Sequence, residues 1–192
     1  MKTKISLFSL ILAAGLPAWG ALDYSSSTPV VIPDNNLLGT GDLLSTTLSG
    51  GGSSITDVTL TFTLAGGVSS DLTGYLRLGN VTGSSSYYNL TSLITASPEG
   101  SGGHTYTIDF TTPTYGVDFQ TAFNGQNPND TWTLFFADTV AGDTTTVNGW
   151  SLNVTAVPEP VNVALGIFGS GIAGVGLVRV YRSSRQSIRQ LK

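Results

Sequence analysis

The chain contains no cysteine, one histidine and one methionine in 192 residues. A disulfide, a thiolate nucleophile and a thiolate metal site are therefore excluded, and one histidine is too few for a multi-histidine metal centre. Positive charge is nearly as scarce. The eight bases are Lys2, Lys4, Arg77, Arg179, Arg182, Arg185, Arg189 and Lys192, whereas all twelve acids lie between Asp23 and Glu159. That span sets twelve acids against Arg77 alone, a formal charge of −11. Such a surface repels phosphate, so nucleic-acid binding, which needs Lys and Arg to neutralise the backbone, is excluded. Catalytic patterns are missing as well. Glutamate occurs only at Glu99 and Glu159, neither in a recognisable paired-carboxylate setting. No G-x-S-x-G elbow exists, and His104, beside the glycines of 100–103, reads as a solvated loop residue at the start of a strand. Gly169-Ser170-Gly171-Ile172-Ala173-Gly174 matches the dinucleotide fingerprint in form only, because it lies inside an apolar run with no strand before it. The expectation is a protein that is not an enzyme.

What the chain does have is a period of two. Val58, Leu60, Phe62 and Leu64 alternate with threonines; Tyr106, Ile108 and Phe110 alternate with Thr107 and Asp109; Trp132, Leu134 and Phe136 follow the same rhythm, as do Trp150, Leu152 and Val154. Each run predicts a strand with one face in a core and one in water. Breakers separate them at Gly50-Gly51-Gly52, Gly66-Gly67, Gly83 to Ser86, Gly100 to Gly103 and Asn124 to Asp130. No ten-residue stretch between these runs has helical periodicity. Short strands without crossover helices predict an all-β fold, an antiparallel β-sandwich or jelly roll over residues 28–156. Roughly 130 residues are enough to bury one unaided core.

Both ends of the chain differ from this body. Lys2 and Lys4 precede an apolar stretch from Ile5 to Leu16, and small residues at Ala18 and Gly20 follow. This is the pattern of a secretory signal peptide over residues 1–20, cut by signal peptidase after Gly20, with 21–27 as a linker. At the other end, Val157-Pro158-Glu159-Pro160 precedes an uncharged apolar run from Val161 to Val178 and a basic tail over 179–192. The prolines predict an exposed extended segment. The run just reaches the length of a bilayer-spanning helix, and Arg179, Arg182 and Arg185 would act as a stop that keeps the tail cytoplasmic. This ending resembles the PEP-CTERM sorting signal of Gram-negative bacteria. The resemblance implies handling by an exosortase, an inner-membrane-anchored precursor, and delivery to the cell surface or the exopolysaccharide matrix.

The body carries a second resemblance. Phe123-Asn124-Gly125, Asn129 to Leu134, Asp138, Ala141-Gly142-Asp143 and Asn148 to Leu152, with Val31 to Asn35 and Ser70-Asp71-Leu72 earlier, are similar to the P domain (Homo B domain) of proprotein convertases. Asp130 stands where that family usually has glycine, and Thr144-Thr145-Thr146 replaces its glycine-containing loop. The resemblance implies the fold. It implies no activity, because the P domain is an accessory to a protease domain that this chain lacks.

One pattern in the body points to a ligand. Asp138 and Asp143 flank a turn, with Asn129 and Asp130 nearby in sequence, and hard oxygen donors on loops suit Ca²⁺. The alternative is that they are solvated turn formers. For function, three classes stand side by side. The first is a non-catalytic surface or matrix protein with a structural or interaction module. The second is a carbohydrate-binding module using Tyr75, Tyr87, Tyr88, Tyr106 or Tyr115, for which three tyrosines gathered on one exposed face would be the sign. The third and weakest is a hydrolase.

Overall fold

The computed structural model describes residues 20–79, 86–96 and 103–157. Among these described residues nine strands form in the order β1 (Gly20–Ser26), β2 (Val30–Val31), β3 (Ser45–Thr47), β4 (Ser54–Ala65), β5 (Leu72–Leu78), β6 (Ser86–Asn89), β7 (His104–Ile108), β8 (Thr131–Asp138) and β9 (Thr146–Val157). Two short helices, α1 (Thr91–Ala96) and α2 (Gly116–Phe123), lie between them. The first sheet runs β1-β9-β4-β7, with β2 also on β9, and the second runs β3-β8-β5-β6. Every pairing is antiparallel.

The spine of the first sheet is the pair β4 and β9, each 12 residues long and alternately buried and exposed. They run together from Ser54↔Val157 to Ala65↔Thr146, with irregularities between Ile55 and Asp57 and between Thr63 and Leu64. Val58, Leu60, Phe62 and Leu64 face inward beside Val147, Trp150, Leu152 and Val154, all buried. Leu72, Leu76, Leu78, Trp132, Leu134 and Phe136 supply the second sheet's share of one cluster. Phe62 meets Phe136 across the sheets at 5.3 Å between ring centroids. The two sheets thus form a sandwich whose core is built from the period-two positions. Both indoles are buried as that period requires, Trp132 at 0% exposure and Trp150 at 4%, and Trp132 Nε1 donates to the Pro128 carbonyl at 3.1 Å. On the outer faces, hydroxyls take the place of charge: Thr61 pairs with Thr107 (3.1 Å), Thr63 with Thr105 (2.8 Å) and Ser45 with Thr133 (3.0 Å).

Three expectations need correction. Residues 21–27 are not a linker: through Ser26 they belong to β1, which pairs with β9 from Gly20↔Ala156 to Ser26↔Trp150 and packs Leu22 and Tyr24 against the core. Phe110 lies beyond the end of β7, in the turn that leads to α2. That helix is real despite the lack of a long periodic run. It is eight residues long, and Phe119 and Phe123, one turn apart, are both fully buried. Its first residue must be glycine, because a Cβ on Gly116 would lie 2.7 Å from the Phe110 carbonyl oxygen. The helix packs against β6, the edge strand of the second sheet.

Candidate functional site

Of the sorting motif only Val157 falls within the described residues. It is not free backbone: it is the last residue of β9, opposite Ser54, and its carbonyl accepts from Ser53 N at 2.9 Å. Pro158, Glu159 and Pro160, the helix expected over 161–178, the arginines Arg179, Arg182 and Arg185, and the signal peptide before Gly20 lie outside the described residues. Among the described residues no helix is long and apolar enough to cross a membrane.

The acidic turn takes a form that separates its members. Asp138 closes β8 at 0% exposure. It shares the inward phase of Trp132, Leu134 and Phe136, so the same alternation that buries those side chains buries a carboxylate. It is therefore not a solvated turn former. Its Oδ1 accepts from Val140 N at 3.1 Å, while Oδ2 has no partner. Burial, with the like charges of Asp143, Asp34 and Asp71 behind it, pushes the Asp138 carboxyl above its ordinary 3.8. Asp143 is half-buried and its Oδ1 is also without a partner. Asp34, exposed, accepts from Gly142 N with both oxygens at 3.3 Å. Asp71 reaches the same place because its carbonyl takes both Thr139 N (2.9 Å) and Thr139 Oγ1 (2.8 Å). Asn129 and Asp130 belong to the far end of β8, about 25 Å away along the strand. There Asn129 ties down the glycine turn, accepting from Gly51 N and donating to the Gly52 carbonyl, both at 3.0 Å.

The tyrosines also divide. Tyr106 is core, 2% exposed and stacked on Phe62 at 5.0 Å. Tyr75 stacks on Phe135 at 4.6 Å on the outer face of the second sheet. Tyr87, Tyr88 and Tyr115 instead line one cleft of 610 Å³ between β6 and α2, together with Asn89, Ser92 and Asp118. Tyr87 is 64% exposed. Tyr88 stands edge-on to Phe119 at 5.1 Å, which fixes its ring. Burial, Asp118 and Tyr115 together raise the Tyr88 hydroxyl above its ordinary 10.0, so it stays protonated and can donate. Sequence reasoning named these rings but did not foresee that α2 would bring Tyr115 to the other two. His104 is exposed at the start of β7, edge-on to Tyr106 at 4.5 Å.

No protein-family model matches the chain, and no curated protein matches it. Among solved structures it is similar to one described as the structure of a marine algae virus of the order Picornavirales. That similarity is 14% identity, covering 74% of this chain and 70% of the other, with a TM-score of 0.20, and a score so low carries no argument about fold or function.

Proposed function

We propose that this chain is an exported surface or matrix protein of a Gram-negative bacterium, sorted through residues 157–192 by an exosortase, and that its sandwich is a non-catalytic interaction module. In this reading the sandwich is a jelly roll of the P-domain type. The observation that supports it is where the two ends leave the fold. Gly20 pairs with Ala156, so the first and last described residues of the sandwich lie side by side at one end of the first sheet. In the precursor, before signal peptidase acts, neighbouring ends let both terminal segments reach one membrane without a long linker. Cleavage after Gly20 also leaves the rungs from Ala21↔Thr155 to Ser26↔Trp150 in place. Pro158 has no amide hydrogen to donate to a ladder, which suits an extended recognition element over residues 157–160. Replacing Pro158-Glu159-Pro160 by alanines is expected to leave the protein exported but retained in the inner membrane. Wild-type amounts of that variant outside the cell would sink the sorting reading.

The cleft of Tyr87, Tyr88 and Tyr115 favours carbohydrate as the ligand of the module. The exposed ring of Tyr87 and the half-buried rings of Tyr88 and Tyr115 offer apolar faces for the C–H faces of sugar rings, while Asn89, Ser92 and Asp118 supply hydrogen-bonding groups. On a glycan and exopolysaccharide array, the full-length chain in non-ionic detergent is expected to bind, and Tyr87→Ala with Tyr115→Ala to bind at least ten-fold more weakly. Equal signals from the two proteins would place any glycan elsewhere.

A further inference from the structure

Three segments distant in sequence meet where β8 ends. Asn36 N donates to the Asp138 carbonyl at 2.8 Å, Ile32 N to the Thr145 carbonyl at 2.8 Å, and Thr139 N to the Asp71 carbonyl at 2.9 Å. These backbone bonds bring the segments that carry Asp34, Asp71, Asp138 and Asp143 to the same end of the sandwich. Gly67 permits the close packing there: it has φ +72, and a Cβ on it would lie 3.0 Å from Asp143 Oδ1 and 2.1 Å from Thr145 Oγ1. Two carboxylate oxygens, Asp138 Oδ2 and Asp143 Oδ1, are removed from water there and receive no hydrogen bond. The one base among the described residues, Arg77, lies elsewhere and pairs with Asp42 at 3.9 Å. A buried charge that nothing compensates is strongly unfavourable, and folded proteins rarely keep one without a partner.

We infer that Asp138 and Asp143 form the floor of a Ca²⁺ site at this end of the sandwich, closed from the solvent side by the exposed carboxylate of Asp34. A divalent cation would supply the two orphaned oxygens with a partner and offset the mutual repulsion of the four acids. The donors are all hard oxygens carried by separate segments, which suits the variable coordination and longer bonds of Ca²⁺ better than the strict octahedron of Mg²⁺. Among the described residues no three metal-ligating side chains are already gathered into a cage. Asp34 must therefore close over the ion, and the affinity belongs to the weak extracellular class, with a Kd of about 10⁻⁴ to 10⁻³ M.

The test uses the full-length chain in non-ionic detergent, stripped with chelator and titrated with CaCl₂ or MgCl₂ at constant ionic strength while the melting temperature is followed. Calcium is expected to raise Tm by several degrees at about 100 times its Kd, with magnesium giving only the small rise of general screening. Asp34→Asn, at an exposed position where the amide oxygen can still accept from Gly142 N, is expected to shift the calcium midpoint upward by about ten-fold. Asp138→Asn is expected to abolish the calcium response and, in the absence of calcium, to melt above the wild-type chain. Equal responses to calcium and magnesium, unchanged in Asp34→Asn, would overturn the site. So would a calcium-indifferent Tm that rises on acidification in wild type but not in Asp138→Asn, since Asp138 would then be neutralised by a proton instead.

Discussion

The two ends of the sandwich solve the same problem in opposite ways. At the end where the chain enters and leaves, loop groups are matched by neutral hydrogen bonds: Asn129 serves Gly51 and Gly52, Ser53 N donates to Val157, and Ile55 exchanges bonds with Gln126 and Gly125. At the other end the backbone is equally well paired, but it pulls four aspartates together and leaves two carboxylate oxygens without a partner. Neutral pairing satisfies these loop groups from within the chain. Unmatched charge in a buried place leaves stability on the table, and nature tends to retain it where a ligand completes it.

The largest effect should come from the neutrally paired end. Trp132→Ala removes a fully buried indole from the core together with the bond from its Nε1 to the Pro128 carbonyl, so denaturant unfolding should show a loss of about 3 to 5 kcal/mol, with or without calcium. A loss under about 1 kcal/mol would show that the core is not packed as described. A smaller effect, with a definite sign, should come from the acidic end. The folded-state pKa of Asp138 is raised, so in calcium-free solution the chain gains stability as pH falls through that raised value toward the ordinary 3.8, where the gain is complete. Asp34, Asp71 and Asp143 face it, and their charge deepens the effect. Asp109 behaves in the reverse sense. Its carboxylate accepts from Thr111 N, Thr111 Oγ1 and Thr112 Oγ1, Thr111 contributing most, and is held below its ordinary value. The stability it contributes is present above 3.8 and lost as pH falls through its lowered folded value. Melting curves across this range should flatten on the acid-stabilised side in Asp138→Asn and on the acid-labile side in Asp109→Asn. Identical pH profiles for wild type and Asp138→Asn would remove the contrast between the two ends.

Much of this was legible in the residues themselves. The runs around Phe62, Tyr106 and Trp150 alternate, and β8 keeps Trp132, Leu134 and Phe136 on one phase, so the strands and both buried indoles followed directly. Two short elements did not. Leu22 and Tyr24 are only two apolar positions, and β1 is held mainly by the edge that β9 offers it. In α2 the signal was the pair Phe119 and Phe123, one helical turn apart, but eight residues are too few to stabilise a helix without the core that receives those rings. For the acidic site, the phase of Asp138 with Trp132, Leu134 and Phe136 was a readable sign of burial.

The sequence by itself determined the composition of the module, its acidic surface free of thiols, the strand phase, and the identity of the side chains that each face would carry, because all of these depend on residue type and a local period. Only the tertiary structure decided which of those side chains meet. Asp34 and Asp71 reach Asp138 because β8 pairs with the start of β5 and bridges to Asn36, and Tyr115 reaches Tyr87 and Tyr88 because α2 settles on the edge strand β6. Such meetings depend on strand order and on long-range hydrogen bonds between segments tens of residues apart, which no local pattern encodes.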